Sequence, residues 1–387
     1  MPSFNHSIIY QVNMKNLPPV TISVINYNDR KFIFQAIESA VKQTYPNLEI
    51  IITDNLSTDG TREEIEARLP EWEAQRKRIS DASGESGIGP AMVYVKSEEN
   101  SGFGRPHNQA FRIGKGEFFL LLNSDAILMP NFVEEALKVF GDERVGAIQG
   151  KLLRYDFNKG ELFKDTGDSS LNRIDTVGLQ ILKNRRIICI GQGSADRGQF
   201  EKQMEVFGAD GAVPTYRKTA LESIKLPIWD SPDKKKVNEY EYFDEDFFMY
   251  KEDVDLAWRL RLAGWNAIYT PTAVAYHGRG SGDSMAKSFI KIIQERRKIN
   301  PRAKYYSFLH QRLMQIKDDS PSLLFTKHFF PFIIKEVGAW GYMAIFERFT
   351  FRLIKDFRRL VPVFVKKRQL VKERTKITDA EMVKWFE

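Results

Sequence analysis

The sequence predicts an α/β fold: a Rossmann-like, mainly parallel sheet flanked by helices, with a C-terminal helical extension. Three observations predict it. Short apolar runs alternate with stretches of helical periodicity, the rhythm of strand–helix–strand units with right-handed crossovers. The runs end abruptly on polar residues such as Asn26, Asp54 and Asn123, as strands do where they leave a core. Beyond Asp283 the strand pattern stops, and the chain becomes helical, basic and aromatic.

The elements follow in order. Val20 to Ile25 is a β-branched strand ending at Asn26-Tyr27-Asn28, and Phe34, Ile37, Ala40 and Val41 define a helix over 32–43, closed by Pro46. Leu48 to Thr53 is the next strand, ending on Asp54; Asn55 to Gly60 is a turn that feeds a helix at Thr61. The Gly- and Ser-rich stretch 81–90 reads as a flexible surface loop, Ala91 to Lys96 as a third strand. Asn100 to Asn108 is a Gly-punctuated loop opening a helix to Ile113. Phe118 to Leu122 is apolar throughout, the pattern of a strand buried on both faces, and it stops at Asn123-Ser124-Asp125. Ligands of open α/β sheets bind beyond such carboxyl ends. A polar triplet ending in Asp can hold a metal ion against a phosphate there, or it can simply shape the turn.

A helix over 131–140 and a short strand over 145–149 come next, followed by an irregular polar segment, 151–207, that reads as substrate-facing loops and hairpins. From Glu252 a short helix carries Leu256, Leu260 and Ala263 on one face and stops at Gly264. Asp253 falls in its first turn, where an Asp commonly caps the helix or complements its dipole. Glu252, Asp253 and Asp255 together exceed what capping requires, and their mutual repulsion raises a pKa, which suits a general base. Strands over 267–270 and 273–277 deliver His277 to a Gly-rich loop.

In the tail, Lys287 to Lys298 is an amphipathic helix, and apolar residues recur at helical spacing from Pro331 to Leu360 beside a basic stripe of Arg348, Arg352, Lys355 and Arg359. Residues 327–376 hold thirteen Lys or Arg against four acids, so the chain's net charge of +7 is concentrated there. The longest uncharged run, Val337 to Phe346, is ten residues and too short to cross a bilayer. The tail therefore reads as lying on an anionic membrane surface, or as a helix packed on the preceding domain with a solvated basic face. The N-terminal residues 1–19 lack the apolar run of a signal peptide, and the single cysteine, Cys189, suits a reducing compartment. A cytoplasmic protein is expected, peripheral on the inner face of the cell membrane, with no nucleic-acid partner.

Six stretches in order carry a resemblance: Val24 to Asn28, Thr53 to Gly60, Asn100 to Gly104, Asn123 to Asp125, Gly208 to Ala212 and Glu252 to Leu256. On these the chain resembles the family 2 glycosyltransferases, inverting enzymes of the GT-A fold, and most of all their bacterial rhamnosyltransferase-like branch. The likeness spans about residues 20 to 282. It implies a GT-A catalytic domain over 20–285, with a nucleotide-sugar half (20–125) and an acceptor half (126–285), after an N-terminal extension (1–19) and before the helical region 286–387. It implies that Asp253 is the catalytic base, and that Asp125 and His277 hold Mg²⁺ or Mn²⁺. Tyr27, Asp54, Arg105, Asn108, Asn123, Asp210, Glu252, Arg279 and Ser281 are implied to contact substrate. The family usually has Asp where Asn123 stands, so one full charge is missing from the triplet. The implied donor is a dTDP- or UDP-sugar, with rhamnose the first expectation. The implied acceptor is a saccharide or a polyprenyl-diphosphate-linked saccharide. Rival readings are a sugar-1-phosphate nucleotidylyltransferase, which should open with a Gly-rich loop where Asn26-Tyr-Asn-Asp29 stands, and a non-catalytic membrane-surface binder, which leaves the acids at 252–255 unexplained.

Overall fold

The structure is a computed structural model that describes residues 17–83, 91–231, 234–278, 289–325 and 328–387. β1 (Val20–Asn26), β2 (Leu48–Asp54), β3 (Met92–Lys96) and β4 (Phe118–Leu122) lie in the order β3-β2-β1-β4, all parallel. In this register Asn26 stands beside Asp54 and Val24 beside Leu122, so the polar strand ends share one edge of the sheet. All five residues of β4 are buried, which the unbroken apolar run predicts. The crossovers run through α1 (Ile33–Val41), α2 (Thr61–Ala82) and α3 (Gly104–Ile113).

The chain continues through β5 (Ala126–Leu128), α4 (Phe132–Val139) and β6 (Val145–Asp156). Then come the short strands β7 (Glu161–Leu162), β8 (Ile174–Thr176), β9 (Leu179–Ile181), β10 (Ile187–Cys189) and β11 (Met204–Val206). β12 (Pro214–Arg217), α5 (Lys218–Ile224), the hairpin β13 (Leu226–Ser231) and β14 (Lys234–Glu241), α6 (Glu252–Leu262) and β15 (Asn266–His277) complete this part. Across the whole sheet the order is β11-β15-β6-β12-β4-β1-β2-β3. β12 is antiparallel to both β4 and β6, whereas β15 is parallel to β6. β5 pairs with the end of β15, setting His277 opposite Ala126 and so next to Asp125. One core lies under α1, α2 and α4, and a second joins α3, α5 and α6 to the opposite face. This sheet, with helices on both faces, is the GT-A architecture.

The tail runs from α7 (Phe289–Lys298) to α12 (Asp379–Met382), and a third core packs α6 against its residues Leu309, Leu313, Leu323, Leu360, Phe364 and Met382. α8 (Pro301–Asp318) begins with Asn300 accepting a hydrogen bond from the Ala303 amide at 2.8 Å and Pro at its first position. After the short α9 (Pro321–Phe325), the expected helix over 331–360 is broken into α10 (Phe329–Phe346), a 3₁₀ turn over Arg348–Arg352 and α11 (Leu353–Arg374).

Other expectations also change. The loop expected at 81–90 begins inside α2, which continues past Pro70 to Ala82; residues 84–90 lie outside the described ones. β6 runs on to Asp156 because its polar residues are paired inside: buried Lys151 contacts Asp196 at 3.1 Å and also Glu201, hiding the strand from an apolarity pattern. The basic stripe is indeed exposed, but α11 packs on α8 through Leu360 and Phe364. The apolar surface lies instead on α10. Its two charges, Lys335 and Glu336, turn inward, Glu336 pairing with Arg312 at 2.7 Å, while Phe330, Ile334 and Val337 are 74, 71 and 67% exposed. With those charges admitted, α10 is long and apolar enough to cross a membrane by length and composition, which the ten-residue run had excluded.

Candidate active site

An open cleft of about 740 Å³ lies at the carboxyl ends of β1 and β4. Its wall includes Tyr27, Asn123, Asp125, Asp210, Glu252, Asp253 and His277, so seven of the twelve expected site residues meet in one place. Tyr27 is 44% exposed there, a ring offered to a ligand rather than to the core.

The turn after β4 is built by its own polar groups. The Asn123 amide donates to the Ala212 carbonyl at 3.1 Å, the Ser124 hydroxyl donates to Asp29 at 2.5 Å, and the Gly278 amide donates to the Asp125 carbonyl at 2.8 Å. These bonds bring the triplet, the 208–212 loop and the end of β15 together. His277 Nε2 lies 3.3 Å from Asp125 Oδ1, and its Nδ1 is 2.8 Å from Asp175 Oδ2. Burial works against the charge on His277, but Asp125 and Asp175 overcome it and push its pKa up to about 10. Burial likewise opposes the Asp125 carboxylate, and His277 holds it below the usual carboxylate range. A histidine anchored on one nitrogen by a buried carboxylate, with the other aimed at a second carboxylate, is the arrangement found behind metal ligands. These residues fit a hard divalent cation. Among the described residues no group of three or more His, Cys, Asp or Glu encloses a metal. A cation held by Asp125 and His277 would therefore complete its shell with diphosphate oxygens and water, as Mg²⁺ characteristically does.

The N-terminus of α6 lines the same cleft. Asp253 Oδ2 accepts from the Gly211 amide at 3.2 Å, and its Oδ1 from the Val254 amide at 2.8 Å. Burial first, and Asp210 second, raise its pKa, the condition for a base near neutrality. Glu252, buried with Oε2 unpartnered among the described residues, is pushed up to about 8 by burial and by Asp253, and stays largely protonated at neutral pH. Asp210 is tied into its turn: its amide donates to Gln149 and its Oδ1 accepts from the Ala212 amide. The loop can approach α6 only because position 208 is glycine, since a Cβ there would sit 2.2 Å from that of Ala257.

Three expected residues are not at the cleft wall. Asp54 is fully buried, and its oxygens accept from the Ser57 amide (2.8 Å), the Asn26 side chain (2.9 Å) and Arg62. Burial opposes its ionisation, but these donors hold its pKa below the usual range. Asn108 is also fully buried; its amide donates to the Phe243 carbonyl at 2.8 Å and its oxygen accepts from the amides of Tyr242 and Phe243. Arg105 pairs with Glu99 and, at 2.9 Å, with Glu245. Both fasten α3 to the 241–248 loop, and neither is among the residues lining the cleft. Arg279 and Ser281 lie outside the described residues.

Other lining residues escaped the sequence reading. Asn55 follows Asp54 directly and bonds Asn100 (3.1 Å) and the Gly102 carbonyl (2.9 Å), stitching two loops of the cleft. Asp29 ends the first polar turn, and its pKa is raised by burial and by Asp125. Lys251, Phe248 and Arg302 complete the far wall, the last from α8 in the tail. Asp175, behind His277, carried no local signal, because its segment has neither strand nor helix periodicity.

The sequence profile described as "Glycosyl transferase family 2" matches residues 21–222. Among curated proteins, the chain is 25% identical over 168 residues to the glycosyltransferase GlyG of Streptococcus pneumoniae, covering 43% of this chain and 50% of that one. It is 29% identical over 234 residues to the putative glycosyltransferase EpsH of Bacillus subtilis, covering 60% and 55%. It is 29% identical over 126 residues to the UDP-Glc:alpha-D-GlcNAc-diphosphoundecaprenol beta-1,3-glucosyltransferase WfaP of Escherichia coli, covering 33% and 43%. In each case the match spans about half the length of the relative. Among solved structures, the mannosyltransferase PcManGT of Pyrobaculum calidifontis, in complex with GDP-Man and Mn²⁺, aligns with TM-score 0.45 at 15% identity, covering 93% of this chain and 88% of that one. S. aureus TarS 1-349 in complex with UDP-GlcNAc aligns with TM-score 0.48 at 14% identity, covering 92% and 90%.

Proposed function

Because the chain belongs to glycosyl transferase family 2, we propose that it moves a sugar from a nucleotide-diphosphate donor to a hydroxyl of a saccharide or lipid-linked saccharide acceptor, in cell-surface polysaccharide synthesis. The observation that carries this reading is the meeting, in one cleft, of a half-buried carboxylate with raised pKa, Asp253, and the Asp125–His277 pair.

Asp253 accepts the proton of the acceptor hydroxyl as that oxygen attacks the anomeric carbon. The Gly211 and Val254 amides fix the carboxylate's direction, and protonated Glu252 beside it spares it a second negative neighbour. Attack from the Asp253 side, opposite the nucleotide, inverts the anomeric configuration in one step. Asp125 and His277 are the residues that would hold Mg²⁺ or Mn²⁺, which supplies charge to offset the leaving diphosphate. Tyr27 flanks the nucleotide, while Asn123 and Asp210 border the sugar; Arg279 and Ser281 are kept as contacts of the phosphates. The donor is a dTDP- or UDP-sugar, and dTDP-rhamnose is the first to assay. WfaP, by its name, acts on a diphosphoundecaprenol-linked sugar. An acceptor of that kind suits the exposed apolar face of α10 and the basic residues after it, which we read as a peripheral attachment to an anionic membrane at the cytoplasmic face. The catalytic domain spans 20–285 after an extension over 1–19, and the helical region 286–387 contributes Arg302 and Ser307 to the cleft.

The test incubates the full chain with Mn²⁺ and a panel of nucleotide sugars, measuring thermal shift and donor hydrolysis. Stabilisation and slow hydrolysis by one nucleotide sugar support the reading. Turnover of a nucleoside triphosphate with a sugar 1-phosphate would replace it with a nucleotidylyltransferase. No response to any nucleotide would leave a membrane-surface binding protein.

A further inference from the structure

Tyr250 and Lys251 both have left-handed backbones, with φ of 66° and 81°. Such conformations are disfavoured for non-glycine residues, persist only where the surroundings over-determine them, and gather at functional sites. Here they are held from α8: His310 Nδ1 donates to the Met249 carbonyl at 2.8 Å and lies 3.1 Å from that of Tyr250. The segment is also held from the cleft, where the Phe103 amide donates to the Phe248 carbonyl at 3.0 Å. A glycine would take the same backbone without strain; the chain places a lysine there.

The Lys251 side chain is half-buried in the cleft wall, immediately before Glu252 and Asp253. Among the described residues it makes no hydrogen bond or ion pair, whereas the buried cations Lys151, Lys317, Lys367 and Arg259 are all paired. It also caps α6, whose amide ends add positive potential at the same spot. Arg302, at the mouth, is a second cation without an ion pair among the described residues, its guanidinium 5.2 Å from the Phe248 ring. On the side of α10, Lys335 is pushed down to about 8 by burial, with Arg312 and Lys251 adding to the effect against the pull of Glu336. The cleft therefore places a lysine unpaired among the described residues directly beside the base, and α10 comes close enough for Lys335 to feel its charge. A lipid-linked saccharide likewise carries its phosphate between the sugar hydroxyl and the hydrocarbon.

We propose that Lys251, with Arg302 at the cleft mouth, binds a phosphate of the acceptor, so that a lipid phosphate is recognised one residue from the base region while the sugar hydroxyl meets Asp253. This rests on the transferase reading above. The donor diphosphate is the other source of the same chemistry, and it belongs beside Asp125 and His277.

The experiment uses the full chain saturated with UDP or dTDP and Mn²⁺, so that the donor site is filled. Binding of farnesyl diphosphate is then measured by calorimetry, with farnesol as the phosphate-free control. Lys251→Asn removes the charge with a residue that tolerates the left-handed backbone, and Lys251→Arg keeps it. The expected result is farnesyl diphosphate binding that weakens about tenfold or more in Lys251→Asn, the worth of one charge-assisted contact. Lys251→Arg should stay near wild type, and nucleotide affinity should be unchanged in both. Equal binding by wild type and Lys251→Asn, equal binding of farnesol, or competition between farnesyl diphosphate and the nucleotide would overturn the proposal while leaving the transferase reading intact. A wild-type chain that binds no nucleotide would end both.

Discussion

Lys317 Nζ, in α8, lies 2.5 Å from Asp255 Oδ1, in α6, and both side chains are fully buried. The contact is one of charge rather than an aligned hydrogen bond, since that oxygen has no geometrically satisfied partner among the described residues. Asp255 also holds Arg259 at 2.8 Å, and Lys317 reaches Asp244 as well. The tail is thereby joined to the helix that presents Asp253, two residues before Asp255, so the sheet domain and the tail share a charged core.

The first prediction follows from that contact. Lys317→Met should lower unfolding free energy by about 3–5 kcal/mol, the usual cost of leaving buried charges without their partner. Chemical denaturation measures it. A loss below about 1 kcal/mol would mean that Lys367, which also contacts Asp244, already compensates the site.

Asp253→Asn should reduce sugar transfer by roughly 10²–10⁴-fold, the worth of a positioned general base. Asn keeps the acceptor atom for the Gly211 amide, so folding should hold. Because the pKa of Asp253 is raised in the folded protein, wild-type activity should fall as pH drops through that raised value. The decline should begin nearer neutrality than for an ordinary aspartate, and the variant should lose it. Near wild-type transfer by the variant would make Asp253 a structural acceptor only.

For the metal pair, Asp125→Ala should abolish the Mn²⁺-dependent part of UDP binding in calorimetry, because Asn123 carries no charge to replace it. His277→Ala should weaken that part less, since His277 must give up its proton to ligate and then adds a ligand but no charge. UDP affinity identical with and without Mn²⁺ in the wild type would rule out both assignments.

On the tail, the triple change Phe330→Glu, Ile334→Glu and Val337→Glu should release the chain from phosphatidylglycerol vesicles without unfolding it, because all three side chains already face outward. Reversing Arg348, Arg352 and Lys355 should weaken attachment at low salt, by about 1 kcal/mol per residue. Retention of the α10 variant with loss of the basic one would place the attachment on charge alone.

Much of the fold was legible in the chain. The parallel strands β1 to β4 are runs of apolar residues whose burial is a local consequence of their composition, and their polar ends mark the cleft without any knowledge of pairing. Acids crowded into the first turn of α6 announced a perturbed carboxylate for the same reason. The likeness in six motifs joined these marks into one site.

What only the tertiary structure decided concerns partners distant in sequence. Asp54, Arg105 and Asn108 have the chemistry of ligand contacts, yet the hydrogen bonds they make within the chain go to neighbouring loops, which no spacing reveals. Asp175 stands behind His277 because β8 and β15 both flank β6. β6 itself hid behind charges that are neutralised across the fold. Lys335 and Glu336 divided the apolar run of α10 on paper, but folding turns both inward and leaves an unbroken apolar face outside. Composition sets which segments seek burial; which polar groups are satisfied inside, and which remain free to meet a ligand, is settled only when distant segments pack together.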